Sequence, residues 1–338
     1  MERIILHVDV NNAFLSWSAV WLLKNGYEKD IRNRYAIIAG DETQRRGIVL
    51  AKSNLCKKKG VKTAEAIYLA RKKCPYLEIY PPRYDVYKKF SDMMYKYLCN
   101  YTNIIERYSI DECFLDYTGS VKLFGDPVKV AYKIKDEIYR KFGFTVNVGV
   151  GNNKLLAKMA SDFEKPNKVH TLFSNEVETK MFPLPIDDLF MTGRATAKKL
   201  REMGITTIGE LARVPVEELT KKFKSMGKML HDYANGIDNS EVMYEREQAK
   251  SISNSTVLPY NYRDSGMIKN VISDLSKEIG KKLRDNKLYA DTIGIWFKYT
   301  YFDKISKQVK LDNSIANDEE IAGKAFSIFN ELWNGEDD

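Results

Sequence analysis

Three carboxylates in this chain have the type and spacing for metal chemistry. Asp9 ends the apolar run Ile4-Ile5-Leu6-His7-Val8, and Asp111-Glu112 sit side by side within Tyr108-Ser-Ile-Asp-Glu-Cys-Phe-Leu-Asp116. That second stretch reads as two short strand-like runs meeting at an acidic corner, with Ile104-Ile105 leading in and Phe114-Leu115 leading out. Unpaired buried carboxylates are expensive, so the corner is either open surface or a seat for a cation. The three groups offer hard oxygen without imidazole or thiolate, which suits Mg2+ or Mn2+ rather than zinc. The Val10 carbonyl is a further oxygen. Two such ions, about 3.5–4 Å apart, can lower the pKa of an attacking hydroxyl and stabilise a leaving phosphate. Lys57 and Lys165 are the cations to place near a triphosphate, although the ordinary role of a single lysine is a solvated surface charge. Lys165 precedes Pro166, which stops the helix before it and fixes the loop. Phe14, five residues past Asp9, is either core or a wall beside a nucleotide's sugar.

The flanking pattern supplies elements to carry these groups. Ile4–Asp9 reads as a buried strand, Asn11 and Asn12 as a turn or cap, and Ala13–Leu23 as a largely buried helix closed near Gly26. Residues 34–40 and 47–51 read as strands around the polar turn DETQRR, and Thr63–Lys73 as a helix. From Arg45 to Lys73 there are ten Lys/Arg and one acid, Glu65, a one-sided charge that suits phosphate. Pro81-Pro82 marks a boundary. Tyr84–Tyr101 is a helix, the acidic hairpin follows, then a helix at Pro127–Phe142, a strand at Phe144–Val150 and a helix at Asn153–Phe163. Without the basic insert this is the ferredoxin-like β-α-β-β-α-β order, which brings Asp9 and Asp111/Glu112 to one edge of one sheet.

After residue 173 the character changes. Met191-Thr-Gly-Arg-Ala-Thr-Ala-Lys-Lys-Leu-Arg-Glu-Met-Gly-Ile reads as helix, tight turn, helix, with Gly193 at the turn and Gly204 after the second helix. Such a hairpin offers backbone N–H groups and a helix N-terminus to a phosphate. A similar unit runs through Lys222-Phe-Lys-Ser-Met-Gly-Lys. Residues 235–250 are turn-rich and polar. From Ser251 onward strand-like runs (251–258, 292–301, 307–311) alternate with helices (266–286, 318–333), a second α+β unit.

Composition agrees with a nucleic-acid partner. The chain has 338 residues, 44% hydrophobic, with net charge +8 and pI about 9.0. That is enough for several packed domains and favours a polyanion, nucleic acid first and an anionic membrane second. No apolar run reaches membrane-spanning length and no secretory signal opens the chain, so the expected setting is the cytoplasm. Cys56, Cys74, Cys99 and Cys113 lack CxxC pairing and read as free thiols. His7, His170 and His231 are too few for histidine chemistry, and His7 reads as structural.

The chain resembles the Y-family translesion DNA polymerases of the DinB/UmuC type along essentially its whole length. The residues that carry the likeness are His7-Val8-Asp9 with Phe14, Tyr108 to Asp116, Gly149-Val-Gly-Asn-Asn-Lys-Leu-Leu-Ala-Lys158, Lys165-Pro166, Leu200 to Ala212 and Lys250-Ser-Ile-Ser-Asn-Ser. The resemblance implies an α+β multidomain right hand: a ferredoxin-like palm at 1–12 and 82–172, small fingers at 13–81, a helix-hairpin-helix thumb at 173–238, a linker at 239–249 and an α+β little finger at 250–338. It implies a metal set of Asp9, Val10, Asp111 and Glu112, with catalysis by the three carboxylates. The cofactor would be two Mg2+ ions, replaceable by Mn2+. Phe14 matches the steric gate against a ribose 2′-OH, and Lys165 a triphosphate lysine. Asn54 and Lys57 stand where the family's S-Y-x-A-R pattern has Tyr and Arg, so a point charge replaces a bidentate fork. Gly193, Arg194, Lys250, Ser251 and Ser253 fall at DNA-contacting places. Met191-Thr192-Gly193 departs from the family's G-[IV]-G turn, and Cys113 replaces alanine. The expected partners of this monomer are primer-template DNA, a dNTP and a sliding clamp met through a tail absent from the chain. The end at Gly335-Glu-Asp-Asp338 reads as a truncation before a further little-finger strand.

Two other readings compete. A DNA-binding accessory protein of the same fold with weak or no polymerase activity is suggested by Asn54 and Lys57. A nucleotide cyclase shares a palm-like sheet and paired carboxylates, but has no use for the basic fingers or the helix-hairpin-helix.

Overall fold

Alternating apolar runs and capped amphipathic helices assemble a sheet with helices on both faces. The computed structural model describes residues 2–41, 47–244, 249–262, 264–301 and 303–333. Most of the DETQRR turn and the stretch Gly335–Asp338 lie outside the described residues. Two units form, one of residues 1–40 and 48–246, the other of 41–47 and 247–338.

In the first unit, β1 (Ile5–Val10) is buried along its whole length because both of its faces are covered. It leads into α1 (Ala13–Lys24). An insert follows: β2 (Ala36–Ala39), β3 (Val49–Lys52), α2 (Asn54–Lys58), α3 (Ile67–Lys73) and β4 (Glu78–Tyr80). Its three strands form a separate sheet in the order β3-β2-β4, with its own core of Ile37, Val49, Cys56, Ile67 and Leu77. The helix expected from Thr63 starts later, because Ala64 takes a positive φ of 67° and the bridge Ile48↔Ala66 holds that turn extended.

The chain returns through α4 (Tyr84–Leu98), β5 (Ile105–Arg107), β6 (Glu112–Asp116), α5 (Val121–Phe124), α6 (Pro127–Phe142), β7 (Val146–Gly151), α7 (Lys154–Asp162) and β8 (Val169–Leu172). The main sheet has the order β5-β6-β1-β7-β8, and its first four strands reproduce the expected ferredoxin-like pairing. β8, parallel to β7, is an addition the periodicity did not suggest. α6 shows local signals in full: Asp126 accepts the Lys129 N–H at 2.8 Å, Pro127 opens the helix and Gly143 closes it at φ 83°.

Leu6, Val8 and Val10 point from β1 to one face, where Trp17, Tyr87, Phe90, Ile134 and Ile138 bury them. Each such aliphatic side chain contributes roughly 1.5–3 kcal/mol. The opposite face of β1, carrying Ile5, His7 and Asp9, is covered by α7. That approach is close: a Cβ on Gly149 would lie 1.9 Å from the Ala157 carbonyl oxygen, and one on Gly151 2.8 Å from the Ala157 nitrogen. Only hydrogen at 149 and 151 lets the helix lie on the sheet.

Residues 177–234 form a helical body: a π turn at Val177–Met181, then α8 (Arg194–Arg201), α9 (Ile208–Ala212), α10 (Val216–Phe223) and α11 (Ser225–Ala234), around Leu156, Met181, Leu200, Leu211 and Leu230. The helix expected ahead of Gly193 is a single 3₁₀ turn, Ile186–Asp188, because Pro183 and Pro185 leave no room for more.

In the second unit, α12 (Ser265–Asp285) and α13 (Asp318–Leu332) pack on a hairpin of β9 (Ala290–Lys298) and β10 (Lys304–Ile315). The run 251–258, expected as a strand, forms no regular strand among the described residues. Within it Asn254 Oδ1 takes the Ser255 N–H at 3.0 Å, a local bond that competes with strand pairing. No described helix is long and apolar enough to cross a membrane.

Candidate active site

Cross-strand register places the carboxylates. β1 and β6 run antiparallel with Asp9 opposite Glu112, His7 opposite Phe114 and Ile5 opposite Asp116. Directly opposed residues share a face, so Asp9 and Glu112 stand together on the face that α7 covers. α7 brings Lys158 between them: its Nζ lies 2.5 Å from Glu112 Oε1, 3.9 Å from Asp9 Oδ2 and 3.4 Å from Asp162 Oδ2. Lys165 bonds Asp9 Oδ2 and lies 2.6 Å from Asp162 Oδ1.

Burial pushes the Asp9 carboxyl up to about 6, although Lys165 and Lys158 both pull it down. Burial would lower both lysines, but their carboxylate partners outweigh it and hold them above the usual range. Below the pair, burial and the charges of Lys158 and Lys165 hold His7 well under the ordinary histidine range. Ser161 Oγ donates to the Lys158 carbonyl at 2.7 Å, so the 2.8 Å contact to His7 Nδ1 is a bond donated by His7. A neutral, buried His7 packed 4.5 Å from the Phe114 ring is structural, as the sequence suggested.

Asp111 does not join the pair. Its carboxylate Oδ1 accepts the Ser109 hydroxyl at 2.6 Å, while its backbone carbonyl takes the Val10 N–H at 3.1 Å. Among the described residues no three His, Cys, Asp or Glu side chains form a ready cage. Of the three expected carboxylates, Asp9 and Glu112 share the lysines, and the Asp111 side chain bonds Ser109. The tight turn 108–111 gives the third a closer hydroxyl partner. The donor set still fits a hard divalent ion: it is oxygen only, and its two carboxylates already draw two ammonium groups.

The loop holding Lys165 is fixed by residues the motifs did not single out. Asn147, opposite Asp9 on β7, donates to the Ser161 and Glu164 carbonyls at 2.9 and 2.6 Å and accepts from Asn11 and from the Lys168 N–H. Asn11 Oδ1 takes the Asn167 N–H at 2.8 Å. The signal for Asn147 was an amide amid buried apolar residues of a strand. Lys158 was legible as a basic residue on the buried side of an amphipathic helix.

Phe14 packs at the edge of the core. It stacks on Tyr87 at 4.5 Å and meets Tyr84 edge-on at 6.0 Å, half-buried on α1 just past the Asp9 strand. Asn12 Nδ2 donates to the Lys52 carbonyl at 2.8 Å, which ties the end of β3, just ahead of α2, to the start of α1. Asn54 and Lys57 are both exposed on α2, and neither bonds Asp9, Asp111 or Glu112. Gly193 caps α8 with extended backbone and no side-chain capper, and Arg194 is exposed at the first helical position. In the second unit Lys250, Ser251 and Ser253 are exposed. The hairpin's outer face there carries residues the motifs missed. Lys298 opposes Lys304, Trp296 opposes Ser306, and Lys304 Nζ sits 4.7 Å over the Trp296 ring. Their alternation along β9 and β10 was the available signal.

Residues 8–162 match the impB/mucB/samB family, 187–238 the DNA polymerase-iota thumb domain and 249–338 the impB/mucB/samB C-terminal domain. Over 336 residues the chain is 46% identical to DNA polymerase IV of Clostridium acetobutylicum, covering 99% of this chain and 85% of that protein. It is 36% identical to DNA polymerase IV of Acetivibrio thermocellus, covering 99% and 83%. Among solved structures, a Y-family DNA polymerase chimera of Dbh and Dpo4 is similar with a TM-score of 0.83 at 28% identity, over 97% of this chain and 93% of that one. An insertion ternary complex of Dbh DNA polymerase gives 0.66 at 27%, with the same coverage. Matched in order from one end to the other, the chain belongs to the impB/mucB/samB family of Y-family DNA polymerases, the template-directed enzymes of translesion synthesis.

Proposed function

We propose that Asp9 and Glu112, joined by Asp111 and the Val10 carbonyl, hold two Mg2+ ions, replaceable by Mn2+, for transfer of a nucleotide from a dNTP to a primer 3′-OH. The observation that carries this is the cross-strand Asp9–Glu112 pair, buried under two lysines. Such ions, when bound, activate the primer hydroxyl and neutralise charge on the departing pyrophosphate.

The chain's own residues supply alignment and charge. Lys165, on a loop pinned by Asn147 and Asn11, meets the triphosphate. Asn54 and Lys57 meet it from α2, tethered near β1 by Asn12. The Phe14 ring, braced by Tyr87, stands where a ribose 2′-OH would project and so selects deoxynucleotides. The bare N-terminus of α8, at Gly193 and Arg194, takes a DNA phosphate. Lys250, Ser251, Ser253 and the Lys298–Trp296–Lys304 face take further backbone. Residues 1–12 with 82–172 act as palm, 13–81 as fingers, 173–238 as thumb, 239–249 as linker and 250–338 as little finger. The enzyme works as a cytoplasmic monomer, and the sliding clamp stays a partner on the strength of the family resemblance alone.

Primer extension past a template lesion tests the site. Asp111→Ala should abolish extension while DNA binding persists, and undiminished extension would refute this metal site. Phe14→Ala should raise ribonucleotide incorporation by at least tenfold, and unchanged sugar discrimination would remove Phe14 from the gate.

A further inference from the structure

Lys158 has no part in the scheme above, yet it makes more carboxylate contacts than any other group at the site. Only 8% of it is exposed. An ammonium so enclosed needs anions around it, and it finds three: Glu112 at 2.5 Å, Asp162 at 3.4 Å and Asp9 at 3.9 Å. The oxygens it and Lys165 engage, Glu112 Oε1 and Asp9 Oδ2, belong to the two carboxylates that would ligate the metal. One oxygen pair cannot serve an ammonium and a divalent ion at full strength together.

Asp162 stands apart from that pair. It closes α7, is half-exposed, and lies four residues after Lys158 and three before Lys165. Its two oxygens are divided between the lysines, Oδ2 towards Lys158 and Oδ1 towards Lys165. Both lysines therefore already hold a second anion when a cation displaces them from the first.

We infer that Lys158 is a built-in counter-ion, a positioning residue that keeps Asp9 and Glu112 together while no divalent ion is bound and passes to Asp162 when one arrives. The inference rests on the metal reading of Asp9 and Glu112. The geometry that supports it is the close seat of α7, since Gly149 and Gly151 bring Lys158 onto the sheet. It extends the site's function to its empty state. Two adjacent carboxylates on a buried face repel each other between turnovers, and an internal cation removes that repulsion without closing the site. A competing cation is coupled reciprocally to the metal, typically by a factor of about 5 to 150.

The test is Mn2+ titration of the full chain without DNA or nucleotide, following free Mn2+ by electron paramagnetic resonance and stability by thermal melting. Lys158→Met should lower the melting temperature of the metal-free protein, tighten Mn2+ binding roughly tenfold, and regain the parent melting temperature at saturating Mn2+. A melting deficit that persists in saturating Mn2+, or unchanged or weaker Mn2+ binding, would mean that Lys158 is an ordinary structural ion pair and overturns the inference. Asp162→Asn, at an exposed helix end, carries the test if Lys158→Met fails to fold. It should weaken Mn2+ binding severalfold by leaving the lysines on Asp9 and Glu112, and unchanged or tighter binding overturns the inference. Glu112→Gln separates the two levels. If it leaves Mn2+ binding intact, the metal reading fails and takes the inference with it. If it abolishes binding while the lysine variant stays neutral, the inference alone fails.

Discussion

Asp9 and Glu112 face each other across one antiparallel step of the main sheet, and Lys158 closes the gap from the helix above. Replacing either carboxylate by its amide keeps shape and removes charge. Asp9→Asn and Glu112→Gln should each lower kcat for primer extension by about 10²–10³-fold, measured in single-turnover extension. Circular dichroism should stay unchanged, because Lys165 and Lys158 each retain Asp162 as a partner.

Gly149 should tolerate no side chain. A Cβ there meets the Ala157 carbonyl oxygen at 1.9 Å and the Ser161 nitrogen at 2.5 Å, both backbone atoms of α7. Gly149→Ala should cost about 3 kcal/mol or more in urea unfolding, at or beyond the upper end of overpacking effects. What remains folded should extend primers poorly, because α7 carries Lys158 and Ser161. Gly119→Ala, with open space around it, is the control and should be near neutral.

The chain leaving α11 is strapped to the main sheet rather than loose. Glu106 accepts Lys154 Nζ at 2.7 Å and the Met243 N–H at 2.8 Å, and Val242 is buried beside Ile5, Phe114 and Ala157. Asn153 Nδ2 holds the Gly236 carbonyl at 2.8 Å, and the Leu155 N–H bonds Asp238. Glu106→Ala leaves the Lys154 ammonium, largely shielded, without its carboxylate. It should destabilise by about 3 kcal/mol and expose residues 236–244 to limited proteolysis. Unaltered cleavage in that stretch would show that the strap is held without Glu106.

In the insert, Arg34 forks onto Glu78, Nε meeting Oε1 at 2.7 Å and Oε2 at 2.9 Å, while Tyr80 donates to Oε2 at 2.9 Å. The Arg34 bond holds Glu78 below the usual carboxylate range. A carboxyl whose pKa falls on folding adds stability above its unfolded pKa and loses it as pH drops through the folded value. Glu78→Gln should therefore cost less than about 1 kcal/mol at pH 7, the pair being partly solvated. The difference from the parent should vanish in acid, below the folded pKa. Melting curves of both proteins from pH 3 to 7.5 check this.

Local chemistry made most elements readable. Pro127 and Gly143 bracket α6 as the sequence predicts, and the alternation through Ile5–Val10 marks a buried strand. The ferredoxin-like order followed from element sequence alone, and so did the expectation that Asp9, Asp111 and Glu112 converge, of which the register pairs Asp9 with Glu112. β8 escaped notice because four residues of mixed polarity become a strand only when β7 offers an edge. The run 251–258 failed for the converse reason, an alternating pattern that joins none of the described sheets.

By itself, the sequence determined which residues carry charge and oxygen, and that they lie on elements able to converge. Register decided which of them do. Asp9 faces Glu112 rather than Asp111 because side chains alternate with period two and the β1–β6 pairing selects the even partner. Tertiary structure alone set Lys158, Lys165 and Asp162 over that pair. Their place depends on how closely α7 lies on β7, and two glycines without a Cβ allow that contact. Burial, which no single residue encodes, then set the Asp9–Glu112 pair under two ammonium groups.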